Sequence, residues 1–204
     1  MHIPQGTTDR LELVTFQQAL AAANTPCDAY DVEKWIYAPN FYSEYRYILG
    51  TRGRNPLICI GINPSTAQPG DLDNTLKSVE RIALGNGFDS FIMFNVYAQR
   101  ATDPDAMEKV CNPALHRENL EAFRYVLSIS QKPAVWAAWA PSLRNGNIFL
   151  NVWVTFCRQV SSTAPSGSVP VNAARKAIHI TRCTCGRMNS FDPLRLRNIC
   201  RLWV

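Results

Sequence analysis

The residues best equipped for chemistry are polar and stand where apolar runs stop. Asn63-Pro64-Ser65-Thr66 ends the run Leu57 to Ile62, and Asn95 stands near the end of Phe91 to Val96, with Tyr97 and Arg100 just behind. Ala134 to Trp139 ends at Trp139 before Ala140-Pro141-Ser142, and the last stretch holds Arg187 and Asp192-Pro193-Leu194. An asparagine side chain carries both a donor and an acceptor, so Asn95 suits the edge of a pyrimidine or amide-like base. Tyr97 and Phe94 offer stacking faces, although aromatic residues on buried strands are more often core. Arg100 fits a ligand phosphate or a local salt-bridged cap with Thr102 and Asp103, the cap being the preferred of the two.

Four sites so far apart in sequence need a scaffold that gathers them. Leu57 to Ile62 is short, apolar and β-branched, which suits a strand buried on both faces. Pro64 cannot donate to a ladder and biases Asn63 away from the helical region. Tyr45 to Leu49, Phe91 to Val96, Ala134 to Trp139 and Ala177 to Thr181 read as further strands, with a turn over Gly50 to Asn55. Helices are expected over Leu13 to Ala23, over Asn74 to Leu84 behind an Asp73 cap, and from Asn112-Pro113 to about Ile129. Ile148 to Val160 is a further helix or apolar segment, and Ser161 to Pro170 a polar loop. The aromatic residues from Trp35 to Tyr42 read as packing. Strands alternating with helices imply an α/β domain with a mostly parallel sheet, and in such a sheet ligands bind beyond the carboxyl ends of the strands.

Length and composition agree with one domain over residues 1–204, in which 1–44 form an N-terminal extension packed on a 45–204 core. The chain is 47% hydrophobic and 18% charged, the balance of a globular protein. No apolar run approaches a membrane span, so no membrane association is expected. The opening residues lack the marks of a signal peptide, and seven scattered cysteines read as reduced thiols, which together point to the cytoplasm. The net charge of +5 is concentrated at the end, where residues 171–204 hold seven basic residues against Asp192 alone. Such a segment suggests a polyanionic partner, nucleic acid or nucleotide. Cys183-x-Cys185 lacks a second close pair for a metal site, His2, His116 and His179 stand alone, and no cofactor is expected. The oligomeric state is not legible.

These motifs carry a resemblance. N-P-S-T-A (Asn63 to Ala67), D-N-T (Asp73 to Thr75) and N-V-Y-A-Q-R-A-T-D-P (Asn95 to Pro104) resemble the signature of domain-of-unknown-function family 1643, from about Tyr45 to Leu194. Members typically read L-N-P-S-T-A, D-D-P-T and N-L-F-A-L-R-A-T-D-P. Asp192 departs from the histidine usual in the last motif.

More distantly, the order of motifs is similar to the uracil-DNA glycosylase superfamily: Gly61-Ile62-Asn63-Pro64-Ser65, then Phe91 to Asn95, then Ala137 to Ala140, then Asp192-Pro193-Leu194. That resemblance implies a three-layer α/β/α fold and an N-glycosidase-like hydrolase with catalytic positions at Asn63 and Asp192. Asn63 would orient water and Asn95 would read a base, in a pocket with Pro64, Ser65, Thr66, Tyr97, Arg100, Trp139 and Arg187. An amide cannot act as a base, and an ionised Asp192 would repel a departing base anion. A non-catalytic nucleotide or nucleic-acid binding module is therefore the alternative.

Overall fold

The computed structural model describes residues 1–130, 133–137 and 179–182. Its centre is a six-stranded mixed sheet: β1 (Trp35–Ala38), β2 (Ile48–Thr51), β3 (Pro56–Gly61), β4 (Ser90–Asn95), β5 (Ala134–Ala137) and β6 (His179–Arg182). The strand order is β1-β2-β4-β3-β5-β6. Every residue of β3 and β4 is buried, as expected of strands covered on both faces.

The side-chain period of two divides the core. Ile58, Ile60, Ile92 and Phe94 face one way and pack with α1 (Phe16–Ala23) and α3 (Pro113–Ser128). Leu57, Cys59, Phe91 and Met93 face the other way and pack with α2 (Asn74–Gly85). The helices start where their caps put them. Asp73 accepts from Leu76 N at 2.8 Å, and Asn112 accepts from Ala114 N at 2.9 Å, with Pro113 in the first turn. Thr15 and Gln18 close a capping box on α1.

The sheet is less parallel than the alternation of elements suggests. β4, β3, β5 and β6 run parallel, but β1 pairs antiparallel with β2, and β2 with β4. The chain between β1 and β2 is too short for a crossover, and only antiparallel neighbours can be joined so directly. β1 itself lies within the aromatic stretch read as packing alone, and within the residues read as an extension. Gly50 belongs to β2 and not to a turn. A Cβ there would run into the Phe91 carbonyl oxygen and lie 2.8 Å from Ile92 Cα. The absent side chain is what lets β2 close on β4. The segments 148–160 and 161–170 lie outside the described residues. Among the described residues, no helix is long and apolar enough to cross a membrane.

Within the parallel part the order is second, first, third, fourth, so β4 follows β3 on one side while β6 follows β5 on the other. The switch point lies between the carboxyl ends of β3 and β5, the place where open α/β sheets hold ligands. The Asn63 to Thr66 turn starts there.

Candidate functional site

Three stretches meet at this edge. Pairing continues past β3 and β4, since Val96 N donates to Gly61 O at 2.9 Å and Tyr97 N to Ile62 O at 2.8 Å. Ala101 N then donates to Pro64 O at 2.9 Å, and Arg100 N to Glu44 O at 2.8 Å. The segment after β4 therefore runs between the turn after β3 and the residues leading into β2.

Asn63 is half-buried, and its Nδ2 donates to Ala101 O at 2.6 Å and Pro64 O at 3.3 Å. Its amide nitrogen locks the turn to the neighbouring segment. Ser65 and Thr66 are half-buried and Pro64 is buried. Asn95 is 1% exposed, and its Oδ1 accepts from Arg46 Nη2 at 3.4 Å. It lies opposite Gly61 in register, where a Cβ would stand 2.7 Å from Asn95 Nδ2. Asn119 of α3 donates to the Asn95 and Val96 carbonyls at 3.0 and 3.1 Å.

Arg100 is the clearest correction to the local reading. It does not cap with Thr102 and Asp103: the side chain is 0% exposed and turned inward. Its Nη1 donates to the carbonyls of Ser65 and Ala67, and its Nη2 to Tyr37 Oη at 2.9 Å. The exposed Tyr42 ring covers it, with the guanidinium carbon 4.4 Å from the ring centre. Asp103 instead accepts from Asp105 N. Tyr97 packs inside, its hydroxyl donating to Glu108 and accepting from Asn112 N. Phe94 stacks on Phe123 at 5.0 Å in the core. Trp139, Arg187 and Asp192 lie outside the described residues.

Arg46 is the partner that sequence reading passes over. It is 1% exposed and donates through Nη1 to Ala67 O at 3.0 Å. A charge inside the otherwise apolar Tyr45 to Leu49 run was the available signal. The two guanidiniums share the Ala67 carbonyl, and neither has a carboxylate within ion-pair distance among the described residues. Asp73 and Glu44 act on them only from farther away. Burial, and then the other's positive charge, pushes Arg46 down from its ordinary value; burial does the same for Arg100.

Beside Tyr42 a cleft of about 590 Å³ is lined by His2, Phe41, Tyr42, Glu44 and Tyr45 among others. There His2 Nε2 lies 3.1 Å from Glu44 and Nδ1 lies 2.9 Å from Tyr42 Oη.

Tyr37, which meets Arg100, is one of four phenols withdrawn from water, and together they set an alkaline limit. Burial pushes Tyr37, Tyr45 and Tyr47 above the ordinary 10.0, and Tyr30 up to about 12. A group raised on folding contributes stability that is complete below its unfolded value and is lost as pH rises through the folded one. Urea unfolding is therefore expected to show stability falling as pH rises past about 10, with the tyrosinate absorbance of these four rings appearing late. Arg46 and Arg100 act in the opposite sense but are two groups against four. Stability level up to pH 11 would contradict the burial of these rings.

No curated protein and no solved structure matches the chain. The sequence model of one family, described as a protein of unknown function and numbered DUF1643, covers residues 46–156, which takes in the Asn63 turn, Asn95 and Arg100 and stops short of Arg187 and Asp192. That span is more than half of the chain, which thus belongs to the DUF1643 family.

Proposed function

We propose that this chain binds a nucleobase-containing ligand, a nucleotide or nucleic acid, beyond the carboxyl ends of β3 and β5. The observation that carries this reading is the position of the polar Asn63 to Thr66 turn at the switch point of the parallel strands, tied by hydrogen bonds to Ala101 and Arg100. Helices packed against both faces support a three-layer α/β/α domain of the kind found in the uracil-DNA glycosylase superfamily. The basic segment of residues 171–204 supports an anionic ligand met in the cytoplasm.

A second reading, N-glycosidase-like hydrolysis, is favoured by Asn63. With Nδ2 committed to two carbonyls, the role left to this side chain is acceptance through Oδ1, which can hold a water in a fixed orientation. It cannot remove that water's proton, so any hydrolysis would be slow without another base. Binding without turnover is the better supported reading.

The test is a salt-dependent binding assay with nucleotides and oligonucleotides, run beside a base-release assay on a panel of modified-base oligonucleotides. Binding that weakens with salt, with no free base released, is the expected result. Asn63→Ala should loosen the turn, lower stability by about 1–2 kcal/mol and weaken binding at least about tenfold. Base release abolished by Asn63→Ala would establish the hydrolase instead. No binding to any nucleotide or nucleic acid would end both readings.

A further inference from the structure

The geometry points to an oxyanion site on the outer side of the Pro64 to Thr66 turn, built from the Ser65 and Thr66 backbone N–H groups and backed from inside by Arg46 and Arg100. The ligand group is a phosphate ester, and this identification rests on the nucleotide reading above.

The argument starts from the carbonyls. Pro64 O accepts from Ala101 N at 2.9 Å and from Asn63 Nδ2 at 3.3 Å, and Ser65 O accepts from Arg100 Nη1. Both oxygens are thus drawn toward the 100–101 segment. The only cis peptide among the described residues is Ala38-Pro39, so the peptides after Pro64 and Ser65 are trans. In a trans peptide the N–H points opposite to the C=O. The Ser65 N–H is therefore turned away from Ala101 and the Thr66 N–H away from the Arg100 guanidinium, and neither donates to an acceptor among the described residues. Consecutive N–H groups presented this way form an anion-binding concavity.

The arginines give that concavity its charge. Two buried guanidiniums share the Ala67 carbonyl without an ion-paired carboxylate among the described residues, and the Nε of each has no hydrogen-bond partner there. Uncompensated buried charge is costly, and an anion across the turn relieves it for both. A cation at the Ser65 carbonyl also polarises the peptide, which strengthens the Thr66 N–H as a donor. The half-buried Ser65 and Thr66 side chains add hydroxyls at the same turn. In residues 138–204 the only acidic side chain is Asp192, so the chain itself has little with which to neutralise the pair.

The experiment uses the full ¹⁵N-labelled chain titrated with inorganic phosphate against chloride at matched ionic strength. The Ser65 and Thr66 amide resonances are expected to move downfield and to saturate. Uridine 5′-monophosphate should bind at least about tenfold tighter than uridine, and Arg100→Gln should remove most of that difference. If Arg100→Gln does not fold, the resonance shifts in the unaltered chain decide. Unmoved Ser65 and Thr66 resonances would overturn the site, and if uridine still bound, the nucleotide reading would survive without it. Saturable phosphate binding at these two amides with no preference for any nucleotide would keep the site and end the nucleotide reading. A phosphate response that appears only in Asp192→Asn would show that the chain's own carboxylate fills the position, and would also overturn the proposal.

Discussion

Gly50→Ala is expected to leave no stably folded protein. The added Cβ meets the Phe91 carbonyl and Ile92 Cα, which are backbone atoms of β4 and cannot swing aside as a side-chain tip can. The β2 and β4 strands would have to separate, and with them the register Ile48 with Phe94 and Leu49 with Met93. Overpacking against backbone in a sheet interior exceeds the usual ~1–3 kcal/mol, and a domain's whole stability is only about 5–15 kcal/mol. The measurement is soluble yield and a cooperative melt by circular dichroism. Gly85→Ala is the control, because its Cβ would point into open space within α2. That variant should gain about 0.5–1 kcal/mol. A Gly50→Ala variant that melts normally would show that β2 does not lie this close to β4.

Arg100→Met should destabilise the protein and free the turn. It removes the donor to the Ser65 and Ala67 carbonyls and to the Tyr37 hydroxyl at once. A carbonyl left buried without a partner costs about 1–3 kcal/mol. Removing a buried charge offsets part of that, because desolvation already weighed on the guanidinium. A net loss of about 1–3 kcal/mol by urea unfolding is expected, with faster amide exchange over residues 63–67. Arg100→Lys should recover little, since a single ammonium cannot span the carbonyls on one side and Tyr37 on the other. A loss below about 0.5 kcal/mol would fit an exposed surface residue and would sink the inward clamp.

The two variants probe different distances along the chain. Gly50 reports on a contact between strands, and Arg100 on how three loops are fastened at their ends. Both depend on neighbours far away in sequence, and so does most of what sequence reading missed. Its near neighbours Thr102 and Asp103 suggest a surface cap for Arg100; its partners are Ser65, Ala67 and Tyr37. Arg46 is the one charge in the Tyr45 to Leu49 run, and nothing in its near neighbours marks its partner Ala67. Asn95 carries the donor and acceptor that suit a base edge, and it lies buried with Arg46 across from Gly61.

What the amino-acid sequence determined by itself is what local physics controls. The apolar runs of β3, β4 and β5, the Asp73 and Asn112 caps, and the polar break at Asn63-Pro64 follow from side-chain periodicity, capping chemistry and the missing proline N–H. The tertiary structure alone decided the antiparallel edge made by β1 and β2, the inward turn of Arg46 and Arg100, and the direction of the carbonyls from Pro64 to Ala67. Strand order and register choose the partners of a buried group, and no spacing along the chain encodes which distant carbonyl a guanidinium will meet.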